Sequence, residues 1–294
     1  MKSLSSAHFE TVATAFQVLD IAQPIRTVGS PNWTTLDAVS AIGTMGDYTD
    51  DPDDWFCLIR DDQKIYGYFA RDFVFDTEDE RFDGPAEGRA ADYCTPITPD
   101  QIVSGSMPLL DLIHLFRQHY HFFVLIRNDI THVVSFYDLD KLPVKLGLFS
   151  LIMALESELI GIFTVSPKKT EDYLSLLSAE RLQKARGLCR IKYGERKNGA
   201  EKSDYSAVQI LMCTTFIDRT TMFLRSHLLP IESEGVIERF LNRTHDLRNR
   251  IAHSDSILGI LQTPEEFDDF IIALKEFTEI IAGLHQNLTN TQGE

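Results

Sequence analysis

The sequence predicts an α+β protein of two domains, an α/β first half followed by an all-helical second half, and three observations carry that expectation. At 294 residues, 44% of them apolar and 24% charged, the chain has the length for two domains of roughly 150 residues and enough apolar side chains to bury a core. A unit of helix, strand, turn and strand occurs twice before Asp138, at a spacing of roughly 65 residues. After Asp138 the strand signal stops and long helical periodicities take over. The domains are expected at residues 1–143 and 144–294.

In the first half, residues 35–42 have the apolar spacing of a helix, and 43–54 form an acidic loop. Its carboxylates could hold a cation or remain a flexible unpaired loop. Strands are expected at 55–60 and 64–69, joined by Asp61-Asp62-Gln63. Residues 76–92, rich in Gly, Pro and acid, read as a connection. The second copy places a helix at 108–118, a strand at 122–127, a turn at Asn128-Asp129 and a strand at 131–137. In the second half, helices are expected at 145–163, 171–189, 206–229, 234–253 and 264–285.

Several function classes are disfavoured. No run of about 18 uncharged apolar residues occurs, and MKSLSSAHFE lacks the basic start and apolar run of a secretion signal. A cytoplasmic protein with no membrane partner is the expectation. Cys57, Cys94, Cys189 and Cys213 are scattered without a Cys-x-x-Cys pair, so reduced thiols and no thiolate metal site are expected. His114, His119 and His121 straddle a predicted helix end and strand start, which points them apart and favours packing or surface roles over a metal site. Neither Gly-x-Gly-x-x-Gly nor a phosphate-loop Gly-Lys-Ser/Thr sequence is present.

The net charge of -16 is unevenly spread. Residues 1–145, 146–180 and 254–294 sum to -12, -3 and -7, whereas 181–253 sums to +6. The basic density peaks at 181–202. Two readings stay open there, a solvated helix face followed by a Gly-containing loop and a phosphate-contacting surface. The second reading names Arg186, Arg190, Lys192, Arg196 and Lys197 as RNA contacts.

The repeat resembles a tandem pair of CBS domains, modules that commonly bind adenine nucleotides between their two copies. Val133-Val134-Ser135-Phe136-Tyr137-Asp138-Leu139 matches the family's strand end with Ser/Thr, two residues and an Asp opening a helix. The resemblance, over about residues 18–143, implies that Ser135 touches phosphate, that Asp138 accepts from ribose hydroxyls, and that Ile102, Val103 and Ser104 supply backbone contacts to the base. A hydroxyl at a helix start can meet phosphate, and a carboxylate can accept from two hydroxyls. The alternative is a strand end merely capped by Ser and Asp. The first copy departs from the pattern, with Ala70 in the hydroxyl position and Asp72 one residue early, so one working site is expected. The implied ligand is an adenine nucleotide or cyclic nucleotide effector.

On the helix expected at 234–253, Ile237, Leu241, Thr244 and Ile251 form an apolar stripe widened by Phe240 and Leu247, with Arg248 inside it. A guanidinium there needs a partner. Glu156 intrudes likewise into the apolar face of Ile152, Leu155, Leu159 and Phe163, and is expected to pair with Arg248 or another arginine of the same 248–253 segment, either catalytically or as a structural ion pair. Asn249 and His253 lie four residues apart on another face, with His245 one turn back. Arg248 and His253 diverge by about 140° on a straight helix, so a twofold pairing of chains would best bring both to one phosphate.

Arg248-Asn249-Arg250-Ile251-Ala252-His253 is similar to the Arg, polar residue, three residues, His signature of HEPN domains, helical dimers that often act as metal-independent endoribonucleases. The resemblance covers about residues 146–288. It implies that His253 moves the proton of an RNA 2′-hydroxyl, that Arg248 stabilises the transition-state charge, and that Asn249 orients the phosphate or the histidine. It implies RNA as substrate, a homodimer or higher homo-oligomer, and no cofactor or metal for catalysis. Asp255 stands where a modified subclass carries Tyr, which disfavours that subclass.

Joined, the halves read as an endoribonuclease gated by a nucleotide bound to the CBS-like pair, a design suited to a toxin, stress or antiviral role. The short interval from Asp140 to Lys145 leaves little linker between sensor and effector. A non-catalytic, nucleotide-sensing dimeric adapter or RNA-binding protein is the alternative, supported by the acidic surface. A metabolic enzyme is weakest, lacking a cofactor motif.

Overall fold

The computed structural model describes residues 11, 15–43, 56–70, 87–193, 205–229 and 234–291, with strands in the first half and helices filling the second. The chain divides into two compact units, Gln17–Lys141 and a helical unit from Leu142 onward to which Phe16 also belongs. The N-terminal unit holds β1 (Gln23–Pro24), β2 (Thr27–Gly29), α1 (Thr35–Gly43), β3 (Phe56–Arg60), β4 (Ile65–Ala70), α2 (Ala90–Tyr93), β5 (Ile102–Ser104), α3 (Leu109–Leu115), β6 (His121–Ile126) and β7 (Asp129–Ser135).

The repeat is a repeat of topology. Each copy is a short strand, a helix and an antiparallel hairpin, with the short strand parallel to the first hairpin strand: β2 with β3, and β5 with β6. The sheet orders are β2-β3-β4 and β1-β7-β6-β5. Period-two alternation gives β3 and β4 two buried faces. Cys57, Ile59 and Phe69 pack with Ala38, Val39 and Ile42 of α1. Phe56, Tyr68 and Ala70 meet Phe123, Ile130 and Val133 of the other copy. Thr34 and Asp37 cap α1 reciprocally, each backbone N–H donating to the other's side chain at 3.0 Å.

Some boundaries differ from expectation for local reasons. The β6–β7 turn sits one residue early, at Arg127 and Asn128, whose positive φ of 51° and 71° suit a tight hairpin. Strands β1, β2 and β5 are two or three residues long, too short to show periodicity. The acidic stretch 47–54, Trp55, Asp72, most of the 76–92 connection and the loop carrying Arg196 and Lys197 lie outside the described residues.

The helical unit comprises α4 (Leu142–Val165), α5 (Thr170–Leu174), α6 (Ala179–Tyr193), α7 (Ala207–Leu211), α8 (Phe216–Arg225), α9 (Glu234–Ala252) and α10 (Pro264–Thr291). Helices expected as continuous at 171–189 and 206–229 are each broken in two. The Ser175 hydroxyl donates to the Asp172 carbonyl at 2.6 Å, and Ser178 Oγ accepts from the Arg181 N–H at 3.3 Å to start α6. Thr214 donates to the Leu211 carbonyl at 2.6 Å, and Thr215 with Asp218 caps α8. Short hydroxyl side chains that bond locally end helices that apolar spacing alone would continue.

Helix α4 is the centre of this unit and packs against α8, α9 and α10. By length and composition it could cross a bilayer, yet 56% of its most apolar window is buried within the fold. It also carries buried Glu156 and Glu158, each paired with a side chain from another helix. None of the four cysteines forms a disulfide.

Candidate functional site

Glu156 on α4 is 4% exposed and is held by two arginines. Arg219 on α8, 7% exposed, donates from Nη1 to Glu156 Oε1 at 2.5 Å, and its other donors go to Thr214 Oγ1 and the Thr214 carbonyl at 3.2 and 2.8 Å. Arg248 Nε lies 3.6 Å from Glu156 Oε2, an ion pair without a hydrogen bond, and both atoms are buried. The arginine expected in the seam was Arg248, but the deeply buried one is Arg219, and the Arg248 side chain is 28% exposed. Leu241, Thr244 and Leu247 line the buried face of α9 and Arg248 flanks it. The signal for Arg219 was in the sequence: a charge spaced three and four residues from Phe216, Met222 and Phe223 on one helix face.

Arg248 opens onto a cleft of about 450 Å³ whose wall includes Arg181, Lys184, Phe216, Asp218, His245 and Asn249. The guanidinium lies over the Phe149 ring, 5.9 Å from its centroid, and its Nη atoms make no hydrogen bond among the described residues. Two arginines share one buried carboxylate, so one positive charge is left over, and the partly exposed Arg248 carries it to the cleft. Arg181 contributes less. Its Nη1 donates to Asp218 Oδ1 at 2.7 Å; bonds from Arg181 and Thr215 outweigh burial and hold the Asp218 carboxyl below the usual range. Asp218 also occupies the start of α8, so that helix end is already capped. Arg186, Arg190 and Lys192 are exposed on α6 and do not line the cleft; α6 turns Arg181 and Lys184 to it instead.

His245 was not among the expected site residues, yet it stands inside the cleft wall. Asn249 Nδ2 lies 3.1 Å from its Nε2, and its ring lies parallel to Phe216 at 6.3 Å between centroids and 4° between planes. Burial lowers its pKa; Arg248 and Arg181 act in the same direction and Asp246 against them. His253 is elsewhere. α9 ends at Ala252, and the chain turns through Ser254 at φ 62° with the Asp255 N–H donating to the Arg250 carbonyl and the Ser254 N–H to that of Ile251. This is a helix-ending turn of the Schellman type, and it leaves His253 exposed at the helix terminus, outside the cleft lining.

In the N-terminal unit, Asp138 is 3% exposed and its carboxylate is fully engaged. Oδ2 accepts from the Ser135 N–H and hydroxyl at 2.6 and 2.9 Å, and Oδ1 takes Gln23 Nε2 and Lys141 Nζ, each at 2.9 Å. The residue read as a ribose acceptor therefore caps the turn at 136–140, and the hydroxyl read as a phosphate ligand is its donor. Val103 is buried on edge strand β5, Ile102 packs at the core between the copies, and Ser104 is exposed with its Oγ 2.8 Å from Ser106 Oγ.

His119 pairs with Asp100 at 2.7 Å and His121 with the Tyr68 hydroxyl at 3.2 Å, so these histidines diverge. Among the described residues no group of three or more His, Cys, Asp or Glu side chains is placed to hold a metal ion. No family model, curated protein or solved structure matches the chain.

Proposed function

We propose that the helical unit is an endoribonuclease in which a strand is cut by its own 2′-hydroxyl, and that the N-terminal unit is the nucleotide-responsive module controlling it. The observation that carries the nuclease reading is Arg248, anchored at Nε beside Glu156, unbonded at Nη, and bearing the surplus charge at the wall of a cleft of nucleotide size. One surplus cation suits the single charge of one phosphodiester. In the reaction the 2′-oxygen loses its proton to an imidazole and bonds to phosphorus. The P–O5′ bond breaks and the departing oxygen takes up a proton, leaving a 2′,3′-cyclic phosphate and a 5′-hydroxyl. Arg248 meets the charge that grows on the phosphoryl oxygens, a role worth roughly 10²- to 10³-fold in rate.

His253 is assigned the proton transfer. It sits outside the cleft of its own chain, so a second chain is needed to bring one to it. Leu142, Leu146 and Met153, 66%, 43% and 38% exposed along α4 near Phe149, give that copy an apolar face to meet. The matched topology of the two N-terminal copies supports nucleotide binding beside β5, and a ribose reaching Asp138 would first displace Lys141 or Gln23.

The exposure of His253 also favours a second reading, a non-catalytic adapter whose cleft only binds RNA. Incubating single-stranded RNA with the full chain in EDTA, with and without adenine nucleotides, separates the two. Cleavage that falls at least about 100-fold in Arg248→Ala and His253→Ala supports the nuclease; no cleavage under any nucleotide condition leaves the adapter.

A further inference from the structure

We infer that His245 and Asn249 form a ribose-reading pair, His245 being a positioning residue that turns the Asn249 amide so that its oxygen accepts from a 2′-hydroxyl, which makes the cleft selective for RNA over DNA. The inference rests on the reading that this cleft holds a nucleic-acid strand. An amide nitrogen only donates, so at the 3.1 Å Asn249–His245 contact the imidazole Nε2 is the acceptor and the ring proton sits on Nδ1. That Nδ1 is buried with no hydrogen-bond partner, and the parallel Phe216 ring fixes the plane of the imidazole. His245 therefore has one bond to give the cleft, and it gives it to Asn249.

One of the two amide N–H groups is thereby taken, which fixes the rotation of the amide, and the Asn249 side chain makes no other hydrogen bond among the described residues. What it offers at the wall is a carbonyl oxygen beside one remaining N–H. Such an oxygen repels a phosphate and accepts from a hydroxyl, so the sugar rather than the phosphate is its partner, while Arg248, on the adjacent position of the helix, takes the phosphate. A 2′-hydroxyl is the donor that ribose has and deoxyribose lacks. Charge supports the arrangement, because burial and the cations Arg248 and Arg181, opposed by Asp246, favour the neutral ring that can accept. Asp218, Lys184 and Glu180 face the same cleft.

The test measures binding, not cleavage, by fluorescence anisotropy in EDTA with His253→Ala as the parent chain. Three oligomers of one sequence are compared: RNA, DNA, and 2′-fluoro RNA, which keeps the ribose pucker but has no donor. RNA is expected to bind roughly three- to tenfold more tightly than 2′-fluoro RNA, the worth of one hydrogen bond. Adding His245→Ala should bring that ratio to about one while most affinity remains through Arg248, and adding His245→Gln, whose amide oxygen accepts the same bond, should restore it. A ratio of one in the parent, or a ratio that His245→Ala leaves unchanged, overturns the inference. A chain that discriminates but never cleaves defeats only the nuclease reading, and one that binds no strand defeats both.

Discussion

Replacing Glu156 by Gln removes one charge and almost no volume, and the structure says where the consequence falls. Arg219 keeps all three hydrogen bonds, since the amide oxygen still accepts from Nη1 and Thr214 still takes the other two. It loses the charge that compensates it at 7% exposure, and breaking a buried pair in this way costs about 3 kcal/mol or more. For a unit of this size that lowers the midpoint of the helical transition by roughly 6–12 °C. Circular dichroism at 222 nm on the full chain measures it. Arg248→Ala, which removes a 28% exposed side chain with no hydrogen bond to Glu156, should cost under about 1 kcal/mol. Glu156→Met combined with Arg219→Met, an apolar replacement of the pair, should recover to within about 1 kcal/mol of wild type. The reasoning is refuted if Glu156→Gln alone costs less than Arg248→Ala. With both chains folded at the assay temperature, Glu156→Gln should also lower cleavage, because Arg248 loses the carboxylate that anchors its Nε end.

His121, half-buried against Phe56, Tyr68 and Phe123, has its pKa pushed down to about 4, chiefly by desolvation and then by His119. The unfolded chain takes up this proton near pH 6.5 and the folded chain does not, so stability is full above that pH and falls towards pH 4 by at most about 3 kcal/mol. Denaturation followed by the fluorescence of Trp33 and Trp55, the two tryptophans of the chain, should show this slope in wild type and a shallower one in His121→Gln. Asp138→Ala strips the cap from the turn at 136–140 and strands the buried Ser135 N–H, and should destabilise the same unit by about 2–4 kcal/mol. If that variant keeps wild-type stability and loses only a thermal shift with adenine nucleotides, Asp138 is a ligand and not a cap.

Legibility in the sequence followed length and locality. The hairpins at 56–70 and 121–135 were readable because apolar runs bounded by turn residues mark their strands, while Thr27-Val28-Gly29 is too short for such a run. The breaks near Ser178 and Thr215 were hidden because Leu174, Leu176 and Leu177, and then Leu211, Met212 and Cys213, carry apolar character straight across them. Three-residue hydroxyl contacts decided against the pattern. Glu156 was visible as a charge in an apolar face, and Arg219 was equally visible by the same test. Which of two arginines would lie deeper was not, because that depends on where α8 and α9 cross α4. His245 was placed on the face of Asn249 but given no role, because its meaning comes from Phe216 on another helix and from an amide one turn away.

The same geometry explains why a chain of net charge -16 can be read as binding a polyanion. At physiological salt a charge is screened beyond roughly 8 Å, so a phosphate at Arg248 responds to its immediate neighbours and not to the acidic total. Among those neighbours the density of basic residues on α6 is a poor guide, since Arg181 is answered by Asp218. What leaves the cleft positive is the uneven sharing of Glu156: a carboxylate placed in an apolar seam for the fold has two cations to satisfy, and the one it satisfies less well, without a hydrogen bond, is the one facing the cleft. Local imbalance, rather than overall composition, sets what this site attracts.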